Sequence, residues 1–270
     1  MNVGRRGFTL VELLVVTVLG ALVVLASLEV LITNQRTYTA QSAAIQGQQT
    51  VRAAMDVLWG ELREVSSRGG DILSMKADSL TVRVMRRFAI VCASDTTTTG
   101  QPRFHTLKVG EFFATGDSVW VFADNEEALD SDDTWIKARI TQIDTIETCS
   151  SGEDAQEVVF SGQKPQFVAD SVRVGAPMRS FETYTYGPVT MEGELYLGRK
   201  APGSDAVPIV GPLASTGGLS FSYRDSLGTV TTVTTDVRQI VITVRTSSGV
   251  LNSLGEPVAD SISTWIYTRN

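Results

Sequence analysis

The sequence predicts an α+β protein: one long N-terminal α-helix, membrane-spanning in its first part, packed on an antiparallel β-sheet head. Three observations carry this prediction. A charge-free stretch runs from Leu13 to Leu28, an apolar stripe at helical spacing follows between Val51 and Val65, and beyond residue 71 short alternating segments are separated by Gly, Pro, Asp and Ser. The chain has 270 residues and is 43% apolar, enough to bury a sizeable core in one globular domain once its N-terminal segment is set aside. The division that follows is residues 1–7 as a basic leader, 8–30 as a spanning helix, 31–66 as its amphipathic continuation, and 67–270 as a β-rich head.

The N-terminus reads Met-Asn-Val-Gly-Arg-Arg-Gly and then Phe8-Thr-Leu-Val-Glu12-Leu-Leu-Val-Val. The sixteen residues Leu13 to Leu28, extended to 21 by Phe8 to Glu12, match a bilayer core at roughly 1.5 Å per residue. Arg5 and Arg6 favour a cytoplasmic start, which puts everything after about residue 30 on the far side. Glu12 is the exception inside this segment, because a carboxylate there costs free energy unless it stays at the interface or finds a partner.

The arrangement Gly7-Phe8-Thr-Leu-x-Glu12 after a short basic leader resembles the processing site of type IV prepilins and of type II secretion pseudopilins. The resemblance implies that a membrane prepilin peptidase cuts between Gly7 and Phe8, that Phe8 is then N-methylated, and that Glu12 serves subunit assembly. Cleavage leaves a cationic amine in an apolar environment, and a carboxylate on a neighbouring subunit neutralises it more cheaply than either charge is borne alone. At ~4 Å and an effective dielectric near 20 the attraction is about 4 kcal/mol before desolvation. Pairing of Glu12 with its own amine, one helical turn away, is the open alternative. Two export readings stand beside this one. Val24-Leu25-Ala26 offers the small-residue site of a secretory signal, against which Glu12 argues, and Arg5-Arg6-Gly7-Phe8 fits part of a twin-arginine signal.

From Glu29 to Val65 the chain contains no proline, and Val51, Met55, Leu58, Leu62 and Val65 recur at spacings of three and four. One helix from Phe8 to Val65 would have 58 residues and a length of roughly 87 Å. Gly20, Gly47 and Gly60 weaken it by about 1 kcal/mol each, and either permit close packing and bends or are merely tolerated. Ser66-Ser-Arg-Gly-Gly-Asp71 is the stop signal.

The head then reads as strands at Leu80–Val84, Ser118–Phe122, Trp135–Ile140, Glu157–Phe160, Glu194–Leu197, Leu219–Tyr223 and Gln239–Val244. Gly187-Pro188, Ala201–Asp205 and Asp225–Gly228 read as separators. An antiparallel sheet covering the apolar stripe of the helix follows. Leu219–Asp225 with Asp236–Arg245, and the terminal Trp265–Asn270, resemble the end of W-type minor pilins and J-type minor pseudopilins.

Composition excludes some chemistries. The formal charge of −7 deepens to −9 if residues 1–7 leave with Arg5 and Arg6, no basic stripe is visible, and nucleic acid is not an expected direct partner. Cys92 and Cys149 both lie in the region predicted to face an oxidising compartment and are a disulfide candidate. The only histidine, His105, comes with no Gly-x-Ser-x-Gly or His-Glu-x-x-His motif, so no enzyme is expected. Asp124–Glu127 and Asp130–Asp133 form a carboxylate-rich stretch in which Asp130, Asp132 and Asp133 are a weak Ca²⁺ candidate, kept alive by calcium in relatives of the resembled class. A solvated acidic loop is the favoured reading, with no cofactor.

The resemblance implies a minor pilin or pseudopilin, an initiation or tip subunit working with other major and minor pilins and an inner-membrane assembly platform. Its system could serve adhesion, DNA uptake, motility or secretion. Two other classes compete. One is an anchored or secreted binding module using Trp120, Trp135, Tyr184 and Tyr186; the other is an anchored hydrolase using scattered carboxylates and His105.

Overall fold

A computed structural model describes residues 9–95, 101–124, 133–144, 148–160, 167 and 172–269. Proline-free sequence sustains one helix, α1 (Leu10–Leu62), of 53 residues and roughly 80 Å. Its second half buries Thr50, Val51, Ala54, Met55, Leu58 and Leu62, so the predicted stripe faces the head and is widened on one flank by two residues, Thr50 and Ala54.

The helix stops at Leu62, with Arg63 as C-cap, and the Gly69-Gly70 pair plays no part in the cap. The reason lies in what captures the chain next. Val65 accepts a backbone hydrogen bond from Arg269 at 2.9 Å, and Ser66 N–H donates to the Asp71 carboxylate at 3.0 Å. Gly70 instead serves the loop that follows, at φ 73°, where side chains are disfavoured.

Twelve strands follow among the described residues: β1 (Ile72–Met75), β2 (Leu80–Asp95), β3 (Arg103–Val109), β4 (Ser118–Ala123), β5 (Thr134–Asp144) and β6 (Ala155–Phe160). Then come β7 (Pro177–Met191), β8 (Glu194–Lys200), β9 (Val207–Leu213), β10 (Leu219–Arg224), β11 (Gln239–Leu251) and β12 (Pro257–Tyr267). All seven predicted segments lie within strands. Nine strands form one antiparallel sheet in the order β1-β2-β3-β6-β5-β4-β7-β8-β9, and β10-β11-β12 form a second.

The additional pairing of β2 with β7 closes β2, β3, β6, β5, β4 and β7 into a six-stranded barrel. The head therefore has two cores. One joins the buried stripe of α1 to Leu80, Tyr186, Leu197 and the inner faces of β10 and β11. The other fills the barrel around Phe104, Phe160, Phe167 and Met178, and no α1 residue enters it.

Strand β2 runs through both cores by means of an irregularity. Leu80, Val82 and Val84 point into the helix-backed core, whereas Ala89 and Val91 point into the barrel. That change from even to odd positions needs one inserted residue, and the register of β2 against β7 shifts between Met85 and Phe88.

One predicted separator is overturned. Gly187-Pro188 lies inside β7, opposite Gly198 and Leu197 of β8. A Cβ on Gly187 would stand 3.0 Å from Ser79 Cβ, so glycine here permits β7 to approach the β1–β2 connection closely and does not mark a turn. Ala201–Asp205 and Asp225–Gly228 do separate strands.

Candidate functional site

The candidate functional segment is the first half of α1, and its surface chemistry follows from its residues. Leu10 to Ile32 leave no large apolar side chain buried: Leu10 is 81% exposed and Leu25 62%. Among the described residues this helix is long and apolar enough to cross a membrane. Its hydroxyl groups are satisfied internally, Thr17 Oγ1 donating to Leu14 O at 2.9 Å and Ser27 Oγ to Val23 O at 2.8 Å, so neither presents an unpaired donor to lipid.

Thr9 and Glu12 start the helix as a reciprocal cap. Glu12 N–H donates to Thr9 Oγ1 at 3.2 Å, while Thr9 N–H and Thr9 Oγ1 donate to Glu12 Oε2, each at 3.3 Å. The Glu12 carboxylate thus has a second local role that was missed in the sequence, although Thr-x-x-Glu ahead of an apolar run is its visible signature. Both bonds use one oxygen, which leaves Oε1 open among the described residues to accept from a cation. Gly7 and Phe8 lie outside the described residues.

The glycines of α1 separate by environment. A Cβ at Gly20 or Gly60 would meet nothing within 4 Å, whereas at Gly47 it would stand 2.9 Å from Thr246 Oγ1. Gly47 alone of the three is a close-packing position, where α1 rests on β11.

The remaining sequence candidates fall in the head. Cys92, in β2, and Cys149, between β5 and β6, form a disulfide with Cα atoms 5.8 Å apart. His105 Nε2 sits 3.3 Å from Glu157 Oε2, whose other oxygen accepts from Arg103 at 2.8 Å. Asp130 and Asp132 lie outside the described residues and Asp133 is exposed. Among the described residues no three His, Cys, Asp or Glu side chains gather as a metal site.

The four aromatic candidates do not form one patch. Tyr186 is fully buried in the helix-backed core, where burial first and Glu61 second push its hydroxyl pKa up. Trp120 and Trp135 are half-buried on the outside of the barrel, against Phe181 and Phe122 respectively. Tyr184 lies between the guanidinium groups of Arg86 and Arg199.

No curated protein and no solved structure matches this chain. The capped, exposed apolar helix and the prepilin-type motif fit inner-membrane anchoring of a pilin. Residues 3–28 match the family model described as the prokaryotic N-terminal methylation motif, a finding consistent with a type IV pilin-like protein.

Proposed function

We propose that the chain is a minor pilin or minor pseudopilin: a non-enzymatic subunit, cut between Gly7 and Phe8 by a prepilin peptidase, that enters a filament through α1. The observation that carries the reading is the continuity of α1. One uninterrupted helix joins an exposed apolar half, most of which lies within the methylation motif at residues 3–28, to a half that is built into the head. Hydrophobic burial of that exposed half against neighbouring helices replaces its burial in lipid.

The head supports a minor role. The barrel buries none of α1 and adds bulk to one side of the helix-backed layer, which is hard to repeat in a tightly packed filament and fits a place at or near the tip. The Cys92–Cys149 bond fits a head on the oxidising side of the membrane, with Arg5 and Arg6 left in the cytoplasm. Other pilins and an inner-membrane assembly platform are the partners this reading requires. Calcium at the 130–133 stretch is no part of it.

The test is the intact mass and N-terminal peptide of the protein from its native membrane. An N-methylated Phe8 terminus is the expected result. A chain beginning after Ala26, or an uncut Met1, overturns the reading. Deleting the gene and assaying surface filaments and protein secretion separately divides pilus from pseudopilus.

A further inference from the structure

The linear sequence shows no basic stripe, but the barrel assembles one. On the outer face of its wall, Trp120 of β4 pairs in register with Lys137 of β5 and Arg179 of β7. One step along, Ser118 faces Arg139 on one side and Phe181 on the other. Because opposed residues share a face, cations and rings interleave across these strands. Arg83 of β2 joins them, its guanidinium 5.5 Å from the ring centre of Trp120 and 5.7 Å from that of Phe181. Lys137 lies 5.5 Å from Phe181, and Arg179 lies 5.0 Å from Trp135.

Of these four cations Arg179 pairs directly with a carboxylate, Asp71 at 3.1 Å, and Arg83 acts on the same carboxylate from farther off. Among the described residues no ion pair engages Arg83, Lys137 or Arg139, and Lys137 and Arg139 are exposed. Two exposed positive charges with no ion-pair partner among the described residues, beside an Arg83 that shares the Asp71 carboxylate with Arg179, are out of character for a chain of net charge −7. Trp120 Nε1 and Arg179 Nε, in the same array, also have no acceptor among the described residues.

We propose that this wall binds an acidic polysaccharide, its carboxylate or sulfate groups meeting the exposed Lys137 and Arg139 and the cations that lie over the rings. Adjacent strands about 4.8 Å apart, and alternate residues about 6.8 Å apart, make the array wide enough for a short run of sugar rings. Single-stranded nucleic acid fits less well, since bases need ring faces to stack on and the faces of Trp120, Phe181 and Trp135 already carry cations. A lipid surface fits less well too. The 66–71 loop, whose Gly70 carbonyl accepts from Arg83, follows the C-terminal end of α1, roughly 80 Å along the helix from its membrane-facing start. The inference does not depend on the filament reading.

The experiment titrates the full-length chain, in non-ionic detergent, with heparin as the sulfated probe and dextran as the uncharged control. Saturable binding to heparin, weakening with added salt, and none to dextran are expected. The double variant Lys137→Gln/Arg139→Gln should weaken heparin binding at least about tenfold and flatten the salt dependence, as loss of two anion contacts requires. Its unchanged melting temperature shows that the fold is intact, and Lys200→Gln, on β8 outside the array, should bind as wild type. No heparin binding at low salt, or equal binding by the double variant, overturns the proposal. Tighter binding to oligo(dT) or to anionic phospholipid vesicles than to heparin also overturns it and reassigns the wall to that partner.

Discussion

Glu61, in the last turn of α1, meets Arg86, at the irregularity of β2, with Oε2 3.1 Å from Nη1, and Arg86 Nε donates to Glu182 of β7 at 2.7 Å. Its neighbour Arg87 turns the other way and donates to Asp117 at 2.7 Å, beside the start of β4. The Arg86-Arg87 doublet therefore ties the helix end, through Arg86, and the start of β4 in the barrel wall, through Arg87, to the point where β2 passes from one core to the other. Burial works against the Arg86 charge, but Glu182 and Glu61 outweigh it and hold the pKa above its ordinary value. Arg86→Gln should lower stability by about 2 kcal/mol in denaturant unfolding. A double-mutant cycle with Glu61→Gln should return a coupling of about 0.5–3 kcal/mol, and strict additivity would show that the pair is incidental.

The disulfide belongs to the barrel. Cys92 and Cys149 are separated by 57 positions, and closing a loop of that size restricts the unfolded chain by about 4 kcal/mol in the entropic treatment. Cys92→Ser/Cys149→Ser should lose roughly 2–4 kcal/mol. Amide hydrogen exchange should accelerate in β3, β5 and β6 while α1 and β11 stay protected. Uniform acceleration across both cores would show that the barrel does not open separately.

What was legible in the sequence depended on how locally each element is specified. The seven strands read from β-branched and aromatic runs are there, as is the stripe on α1, because period and burial agree within each segment. The strands that were not read carry residues that speak against a strand locally, although β9 and β12 pair with the strands just before them. β7 carries Gly187-Pro188 in its middle, and β9 carries Pro208 and Pro212. β12 alternates serine and threonine with Ile262 and Ile266. Barrel closure was not legible at all, since it rests on β2 pairing with a strand some hundred residues away. The cation–aromatic wall was hidden for the same reason. At the N-terminus Glu12 stands out by its charge within an apolar run, whereas its part in the Thr9–Glu12 cap shows only in the three-residue spacing.

Gly47 and Gly60 make a paired test of the helix. Alanine favours a helix by about 1 kcal/mol over glycine, so Gly60→Ala, in open space, should raise stability by up to that amount. Gly47→Ala should instead cost about 1–3 kcal/mol, since its Cβ meets Thr246 Oγ1 at 2.9 Å in a buried contact. Thr246 Oγ1 has no hydrogen-bond partner among the described residues, so Thr246→Ala should relieve the Gly47→Ala defect at little cost of its own. Failure of that rescue in thermal unfolding would move the strain elsewhere.

Asp71 and Glu182 predict opposite pH slopes. Burial raises the Asp71 pKa above its ordinary 3.8, with Arg179 and the Ser66 N–H opposing without cancelling it. The folded state then holds the proton more tightly than the unfolded one. Its contribution is greatest below 3.8 and is lost as pH rises through the folded value. Glu182 is partly desolvated, yet hydrogen bonds from Arg86 and Tyr184 bring it below 4.5; its contribution is full above 4.5 and is lost as pH falls through the folded value. The stability difference between wild type and Asp71→Asn should therefore shift in favour of the variant as pH rises through the carboxylate range. That between wild type and Glu182→Gln should shift in favour of wild type. Parallel slopes in urea unfolding would contradict the assignment.

The two roles of Glu12 separate by mutating its partner. Thr9→Ala removes the side chain that accepts from the Glu12 N–H and should fray the helix start by about 1 kcal/mol, while the carboxylate keeps its charge. Glu12→Gln keeps a side chain able to accept from the Thr9 N–H but removes the charge that would neutralise a Phe8 amine. If charge neutralisation between subunits governs assembly, Glu12→Gln should lose incorporation into sheared filaments, while Thr9→Ala is incorporated near the wild-type level, both measured by quantitative mass spectrometry against the membrane fraction. Equal loss in the two variants would make the carboxylate a helix cap and nothing more. The cationic terminus would then have to find its counter-charge elsewhere, and Glu29, the next acid along α1, lies 17 positions away, too far along the helix to serve within one subunit.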